Sequence, residues 1–217
     1  MPRLSDSFRT SLDSLATEYQ KALTDDARCY LAGRGLDQEA VDAYRIGVVT
    51  EDSEHSWYAG MLCFPYLTRN GVVSLKFRQA HDCNSECEHQ RFITPYQTRL
   101  YNTLSMDKAD EIGIIAICEG EIDAITLDYH CGIPAVGVPG VKTWIKHPEW
   151  KLLFQGYRSV LMFADDDEDG RKLAERVKDD IRDSHTLTLA SGKDANAAYL
   201  AAGADEIRRK AGLDERA

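Results

Sequence analysis

Residues 112–123 read Ile-Gly-Ile-Ile-Ala-Ile-Cys-Glu-Gly-Glu-Ile-Asp, an apolar run that stops at a carboxylate. A short continuous apolar run is typical of a strand that is buried on both faces. The next residues, 121–131, carry apolar side chains at helical spacing. The stretch therefore predicts a strand and a helix joined by an acidic turn, with Glu119 directly after the strand.

The same arrangement recurs downstream. Val160–Phe163 is apolar, residues 165–169 are all acidic, and residues 170–182 have a helical pattern. The same criteria predict three further elements, which are strands over 135–138 and 186–189 and a helix over 195–202. Apolar strands that alternate with helices predict an α/β domain whose parallel sheet has helices on both faces. We assign this domain to residues 105–217.

The upstream part of the chain has a different character. Apolar residues at helical spacing predict a helix over 6–23, and two shorter helices are expected before Gly47. Two β-rich segments, 61–68 and 72–77, flank Asn70-Gly71, which is a strong hairpin signal. A third strand is predicted over 91–94. We interpret residues 1–104 as a smaller mixed α/β subdomain.

Two acidic motifs occupy the predicted carboxyl ends of strands, where open parallel sheets bind ligands. One contains Glu119 and Asp123, and the other contains Asp165 and Asp167. Crowded carboxylates cannot all ionise without raised pKa values or a counter-cation, and hard oxygen ligands suit Mg²⁺ or Mn²⁺. Acids can also simply favour a helix N-terminus. For Glu121, Asp166 and Glu168 that alternative stays open.

Residues 119–123 together with Asp165–Arg171 resemble the Toprim domain of primases, topoisomerases and related nucleases. The pattern is most similar to bacterial and phage DNA primases, especially the primase half of phage primase–helicases. The resemblance extends over about residues 28–200. It implies a Toprim fold, a Rossmann-like parallel sheet. It also implies a set of metal ligands: Glu119, Asp165 and Asp167 as catalytic ligands, with Asp123 and Asp194 beside them.

The resemblance implies a DNA primase catalytic module, which is a DNA-directed RNA polymerase. Such an enzyme makes short RNA primers on single-stranded DNA from ribonucleoside triphosphates by nucleotidyl transfer, with Mg²⁺ or Mn²⁺ as cofactor. A Toprim nuclease uses similar metal chemistry with water as the nucleophile. A third reading is a non-catalytic module that docks DNA or a helicase. The intact acidic set favours an enzyme.

Basic side chains in the upstream region are implied to hold nucleotide or template phosphate. Lys76 and Arg78 alternate with Leu75 and Phe77 on one predicted strand, so the two cations are expected to face outward together. Arg91 and Lys142 are weaker phosphate-binding candidates. A solvated strand face is the alternative for Lys76 and Arg78.

One upstream loop is rich in metal-binding side chains. Residues 81–89 contain His81, Cys83, Cys87 and His89, a set compatible with a Zn²⁺ site although the spacing is not that of a standard finger. A polar hairpin is the alternative interpretation. We find no zinc-binding module ahead of the primase-like region and no helicase domain after it, so a separate zinc-binding module or a replicative helicase is an expected partner.

Net charge and hydropathy bear on whether the protein binds nucleic acid and whether it associates with a membrane. The chain has 26 Lys and Arg against 36 Asp and Glu, a net charge of −10. An acidic balance alone disfavours nucleic-acid binding, but a bound metal reverses the local sign. No segment approaches the roughly 20 apolar residues of a membrane helix, and the N-terminus lacks a signal-peptide core. We therefore expect no membrane association and a location in the cytoplasm of a bacterium or a phage-infected host.

Overall fold

The computed structural model describes residues 4–81, 92–189 and 193–213. The chain forms two compact units, Met1–Arg99 and Leu100–Ala217. The boundary lies after Arg99, a few residues before the predicted boundary after residue 104. Residues from Leu100 onward belong to the second unit because Tyr101 forms an isolated antiparallel bridge with Gly137 there.

The first unit is an antiparallel sheet with helices. Its helices are α1 (Asp6–Lys21), α2 (Asp25–Gly33) and α3 (Gln38–Ala43), with a short 3-10 helix at Ser56–Tyr58. Its strands, in the order β1-β2-β3-β4, are β1 (Gly47–Val48), β2 (Leu62–Thr68), β3 (Gly71–Arg78) and β4 (Phe92–Ile93). The predicted hairpin is confirmed, since Thr68 pairs with Gly71 across the turn.

Local signals fix where the three helices begin. The side chains of Ser5, Thr24 and Asp37 each accept a hydrogen bond from a backbone N–H in the first turn of the following helix. The buried face of α1 then packs on the sheet, with Leu12 and Tyr19 in one cluster with Phe77. Apolar spacing and capping residues together therefore define this unit.

The second unit contains a four-stranded parallel sheet in the order β6-β5-β7-β8. Its strands are β5 (Ile114–Cys118), β6 (Ala135–Gly137), β7 (Ser159–Phe163) and β8 (Ser184–Leu187). Its helices are α4 (Ser105–Ile112), α5 (Glu121–Ile125) continued by a π-helical turn (Thr126–His130), α6 (Val141–Lys146), a 3-10 helix (Trp150–Phe154), α7 (Glu168–Asp180) and α8 (Ala195–Lys210).

Both faces of this sheet are covered, as the apolar runs predict. Ile115 and Ile117 of β5 belong to one core cluster with Leu173 of α7. The alternate residues Ile114 and Ala116 are buried as well. Since successive strand residues point to opposite faces, the predicted parallel sheet with helices on both faces is confirmed.

Three features of the second unit were not predicted. Helices α4 and α6 were missed, and so was the last part of α8, where the chain breaks helical geometry at Gly203 (φ 78°), directly after the predicted end near residue 202, and turns helical again up to Lys210. Gly113, in the left-handed region with φ 71°, ends α4 and allows the chain to enter β5 at Ile114 instead of residue 112. Among the described residues, no helix is long and apolar enough to span a membrane.

Candidate metal centre

The two acidic loops meet because their strands are neighbours. Strands β5 and β7 run parallel, and Ile117 lies opposite Met162. The residues that follow each strand therefore reach the same edge of the sheet. The backbone N–H of Asp165 donates a hydrogen bond to Oε1 of Glu119 at 3.3 Å. The structure thus brings together two of the three residues predicted as catalytic ligands.

The third predicted carboxylate has a structural contact of its own. Asp167 caps α7, and its Oδ1 accepts a hydrogen bond from the N–H of Gly170 at 2.8 Å. Its side chain is exposed. The charge of Asp167 also contributes to raising the pKa of both Glu119 and Asp165. Asp167 is therefore both the N-cap of α7 and part of the acidic site.

Asp123 is buried in the first turn of α5. Its Oδ1 accepts a hydrogen bond from the backbone N–H of Asn196 at 2.9 Å. Its other oxygen lies over Gly120, where an added Cβ would stand 2.4 Å from Oδ2. The contact explains the glycine in Glu-Gly-x-x-Asp, because any other side chain would collide with the Asp123 carboxylate.

Asp194 begins the last helix. Its Oδ1 accepts a hydrogen bond from the N–H of Ala197 at 2.6 Å, so it is the N-cap of α8. The preceding residue, Lys193, uses its carbonyl to accept a hydrogen bond from the N–H of Asp166 at 2.7 Å. The start of α8 is therefore attached to the loop that carries Asp165.

Burial and crowding disfavour ionisation of the central carboxylates. The pKa of Asp165 is raised from its usual 3.8 to about 8. The causes are burial and then, in decreasing order, the negative charges of four neighbours: Asp123, Glu119, Asp194 and Asp167. Burial also raises the pKa of Glu119, partly offset by the hydrogen bond from the N–H of Asp165. Such a cluster favours the binding of a cation.

The donor set fits a hard divalent ion. The side chains at this edge are carboxylates, and oxygen ligands suit Mg²⁺ and Mn²⁺. The nearby thiol of Cys118 is buried and its pKa is raised well above the usual value, so it stays protonated. Within residues 4–81, 92–189 and 193–213, no three His, Cys, Asp or Glu side chains already stand in a ligating arrangement. The fit therefore rests on donor chemistry and charge.

Comparison with known proteins assigns the chain to a family. A family model described as Toprim-like matches residues 116–199. The Gene 57 protein of Mycobacterium phage D29 is 36% identical over 155 residues, which cover 69% of this chain and 97% of that protein. The chain belongs to the Toprim-like family. The matched residues begin in β5 and end in α8, so they include every acidic residue of the candidate metal centre.

Solved structures share the fold of this Toprim-like protein. The DnaG primase catalytic domain bound to single-stranded DNA aligns with a TM-score of 0.74 and 19% identity, covering 95% of this chain and 78% of that chain. A DNA primase domain from Pseudomonas aeruginosa aligns with a TM-score of 0.76 and 22% identity, covering 94% and 78%. At these identities the likeness establishes the fold. The alignments span both units, so the upstream subdomain belongs to the shared architecture.

The basic residues outside the Toprim-like match are placed differently from expectation. Lys76 and Arg78 lie two residues apart on β3, but Arg78 is buried and Lys76 is half-buried. Both cations lie over the ring of Phe92, at 5.0 Å for Lys76 Nζ and 5.5 Å for Arg78 Cζ. Arg78 also donates to the hydroxyl of Tyr30 at 3.1 Å. The expectation that both cations face outward is wrong for Arg78, because its guanidinium is buried over the ring of Phe92 and donates to Tyr30.

The remaining predicted residues fall in two classes. Lys142 is exposed in the first turn of α6, after the carboxyl end of β6. His81 is exposed in a turn. Arg91 and three of the proposed zinc ligands, Cys83, Cys87 and His89, lie outside the described residues, so the zinc hypothesis remains a prediction.

Sequence reasoning missed two buried residues that support the acidic site in this Toprim-like domain. The side-chain amide of Asn196 donates to Oγ1 of Thr126 at 2.9 Å, and both residues are fully buried. A signal for Asn196 was present, since it lies two residues after Asp194, which is a predicted ligand. Thr126 carried none, because a threonine inside a helical pattern is common.

Proposed function

We propose that this chain is the catalytic module of a DNA primase. It joins ribonucleotides on a single-stranded DNA template by nucleotidyl transfer, with Glu119, Asp165 and Asp167 holding a divalent cation. One observation carries the proposal. The Glu119 carboxylate accepts a hydrogen bond from the backbone N–H of Asp165 at the carboxyl edge of adjacent strands, within a fold shared along nearly the whole chain with primase catalytic domains.

The residues of the site perform distinct tasks in this proposal. Glu119 and Asp165 supply negative oxygens whose ionisation is disfavoured by burial, so they bind a cation in preference to remaining charged and unpaired. Asp167 adds charge while its helix cap keeps the loop fixed. A bound Mg²⁺ or Mn²⁺ would activate the attacking hydroxyl and neutralise charge on the triphosphate.

DNA and nucleotide are the proposed ligands of the basic residues. Lys76, Arg78, Arg91 and Lys142 are the candidates for binding template or triphosphate phosphates. A neighbour with the same fold was solved with single-stranded DNA, which supports a DNA ligand here. A replicative helicase or a separate zinc-binding module remains a predicted partner, and a cytoplasmic location follows if the protein acts in replication.

A product assay tests the proposal. The purified chain is incubated with single-stranded DNA, labelled ribonucleoside triphosphates and Mg²⁺ or Mn²⁺. We expect labelled RNA whose formation depends on the DNA and on the metal. Shortened DNA without RNA would support the Toprim nuclease instead, and neither product would support a non-catalytic docking module.

Matched variants connect any product to the site. Glu119→Gln removes one charge at the centre without changing size, and we expect product to fall by about 100-fold or more, since removal of a metal ligand abolishes the cation's contribution. Glu168→Gln is the control, because Glu168 lies in the same acidic run but is exposed and pairs with Lys172. Equal loss in both variants would contradict the assignment.

A further inference from the structure

Residues 193–196, at the start of α8, contact both acidic loops. The carbonyl of Lys193 accepts from the N–H of Asp166 at 2.7 Å, which holds the loop after β7. Three residues later, the N–H of Asn196 donates to Oδ1 of Asp123 at 2.9 Å, which holds the helix after β5. One short segment therefore fixes the spacing between two loops that come from different strands.

The side chain of Asn196 anchors this segment. Its amide nitrogen donates to Oγ1 of Thr126 at 2.9 Å, at the point where α5 becomes a π-helical turn. Asn196 and Thr126 are both fully buried. Breaking a hydrogen bond between two fully buried polar groups is unfavourable, so this contact favours one position of α8 on α5.

We propose that Asn196 is a positioning residue of the metal centre. Its hydrogen bond to Thr126 holds the start of α8 in place. Residues 193–196 then hold Asp123 and the backbone N–H of Asp166. The proposal rests on the proposed function, because a positioning role presupposes that these carboxylates bind a divalent cation. It adds a role for two residues that do not themselves carry a charge.

Supporting hydrogen bonds of this kind affect metal affinity. Loss of a group that orients a metal ligand typically weakens binding by 10- to 100-fold, because the ligand then samples unproductive positions. The position of the Asp123 carboxylate depends on the position of the Asn196 backbone, because Oδ1 of Asp123 accepts a hydrogen bond from the N–H of Asn196. A shift at the start of α8 would therefore move the Asp123 carboxylate and weaken its contribution to cation binding.

Mn²⁺ titration monitored by electron paramagnetic resonance tests the proposal directly. Thr126→Val removes the acceptor at constant shape, and Thr126→Ser retains a hydroxyl. We expect Mn²⁺ binding to weaken about 10-fold in Thr126→Val and to stay near wild type in Thr126→Ser. Asn196→Ala should weaken binding similarly. The double variant Asn196→Ala/Thr126→Val should be no worse than Asn196→Ala alone, because the Thr126 hydroxyl has no amide to accept from once Asn196 is alanine.

Several outcomes separate this role from mere stabilisation. All variants are titrated well below their melting temperatures, so folded protein is compared. If Thr126→Val melts earlier yet binds Mn²⁺ like the wild type, the positioning role is overturned. If the wild type binds Mn²⁺ and the variants weaken as expected while no RNA is made, the primase proposal fails and the positioning role stands. If the wild type binds no Mn²⁺, both proposals are overturned.

Discussion

Gly170 lies directly against the backbone of Asp165. A Cβ added to Gly170 would stand 2.3 Å from the carbonyl oxygen of Asp165 and 2.8 Å from Oε1 of Glu119. The glycine in the acidic stretch Asp165–Arg171 is therefore explained by sterics, since α7 can begin this close to both loops only without a side chain at that position.

We expect Gly170→Ala to lower the free energy of unfolding by about 1–3 kcal/mol, a typical cost of overpacking. Alanine inside a helix ordinarily stabilises by about 1 kcal/mol relative to glycine, so the collision must outweigh propensity. Urea unfolding monitored by circular dichroism measures the effect. Gly33→Ala is the control, because nothing lies within 4 Å of its added Cβ, and it should be neutral or slightly stabilising.

Divalent metal should stabilise the folded protein. The carboxylates around Asp165 repel one another, so a cation that binds only the folded state raises the melting temperature by mass action. At 100 times its dissociation constant the ion would contribute about 2.7 kcal/mol. Differential scanning fluorimetry with Mg²⁺ or Mn²⁺, against NaCl at equal ionic strength, checks the prediction. An unchanged melting temperature would count against a metal site.

Asp165→Asn should change the metal-free and metal-bound proteins in opposite directions. Burial and neighbouring charges disfavour the ionised carboxylate, so the neutral amide should raise the melting temperature of the metal-free protein. The same variant should lose most of its response to Mg²⁺. Glu168→Gln, in the exposed part of the acidic run, should keep the wild-type response. A variant that melts earlier and still responds to metal would place the cation elsewhere.

Lys76→Ala is the cleaner test of phosphate binding in the first unit. Lys76 is half-buried, whereas Arg78 is buried against Phe92 and donates to Tyr30, so Arg78→Ala would also lower stability. We expect Lys76→Ala to weaken binding to single-stranded DNA and to reduce its salt dependence by about 0.7 in log–log slope. Fluorescence anisotropy at several salt concentrations measures both. The exposed Lys21→Ala should leave the slope unchanged, and equal slopes in all three proteins would leave only a packing role for Lys76.

His55 should make the first unit sensitive to acid. Its ring nitrogens contact the hydroxyls of Tyr19 and Tyr96 at 2.8 and 2.9 Å, and burial lowers the pKa of His55 below its usual 6.5. The unfolded chain therefore takes up a proton at higher pH than the folded chain does. The stability from neutral His55 is fully present above about pH 6.5 and is lost as the pH falls through the folded-state pKa.

Urea midpoints between pH 7.5 and 5 measure this dependence. His55→Gln removes the titrating group and should flatten the pH profile, even though it lowers stability throughout. His185→Gln is the control, because His185 is exposed on β8. An identical slope in wild type and His55→Gln would show that other groups cause the acid sensitivity.

The sequence by itself predicted the parallel sheet, the hairpin and the acidic ends of β5 and β7. Continuous apolar runs, period-3.6 patterns, the Asn70-Gly71 turn and abrupt changes from apolar to acidic residues are local properties that can be read along the chain. They were sufficient to nominate Glu119 and Asp165. They did not predict that Asp167, named as a ligand, is also the N-cap of α7, which the structure shows beside its place among the crowded charges.

Only the tertiary structure decided which acidic ends meet. Glu119 and Asp165 are 46 residues apart, and their contact depends on β7 lying next to β5 in the order β6-β5-β7-β8. A strand pattern tells which face is buried but not which strand is its neighbour, because backbone pairing is nearly independent of side-chain identity. For the same reason the partnership of Asn196 with Thr126 and the burial of Arg78 under Phe92 appear only once distant segments pack together.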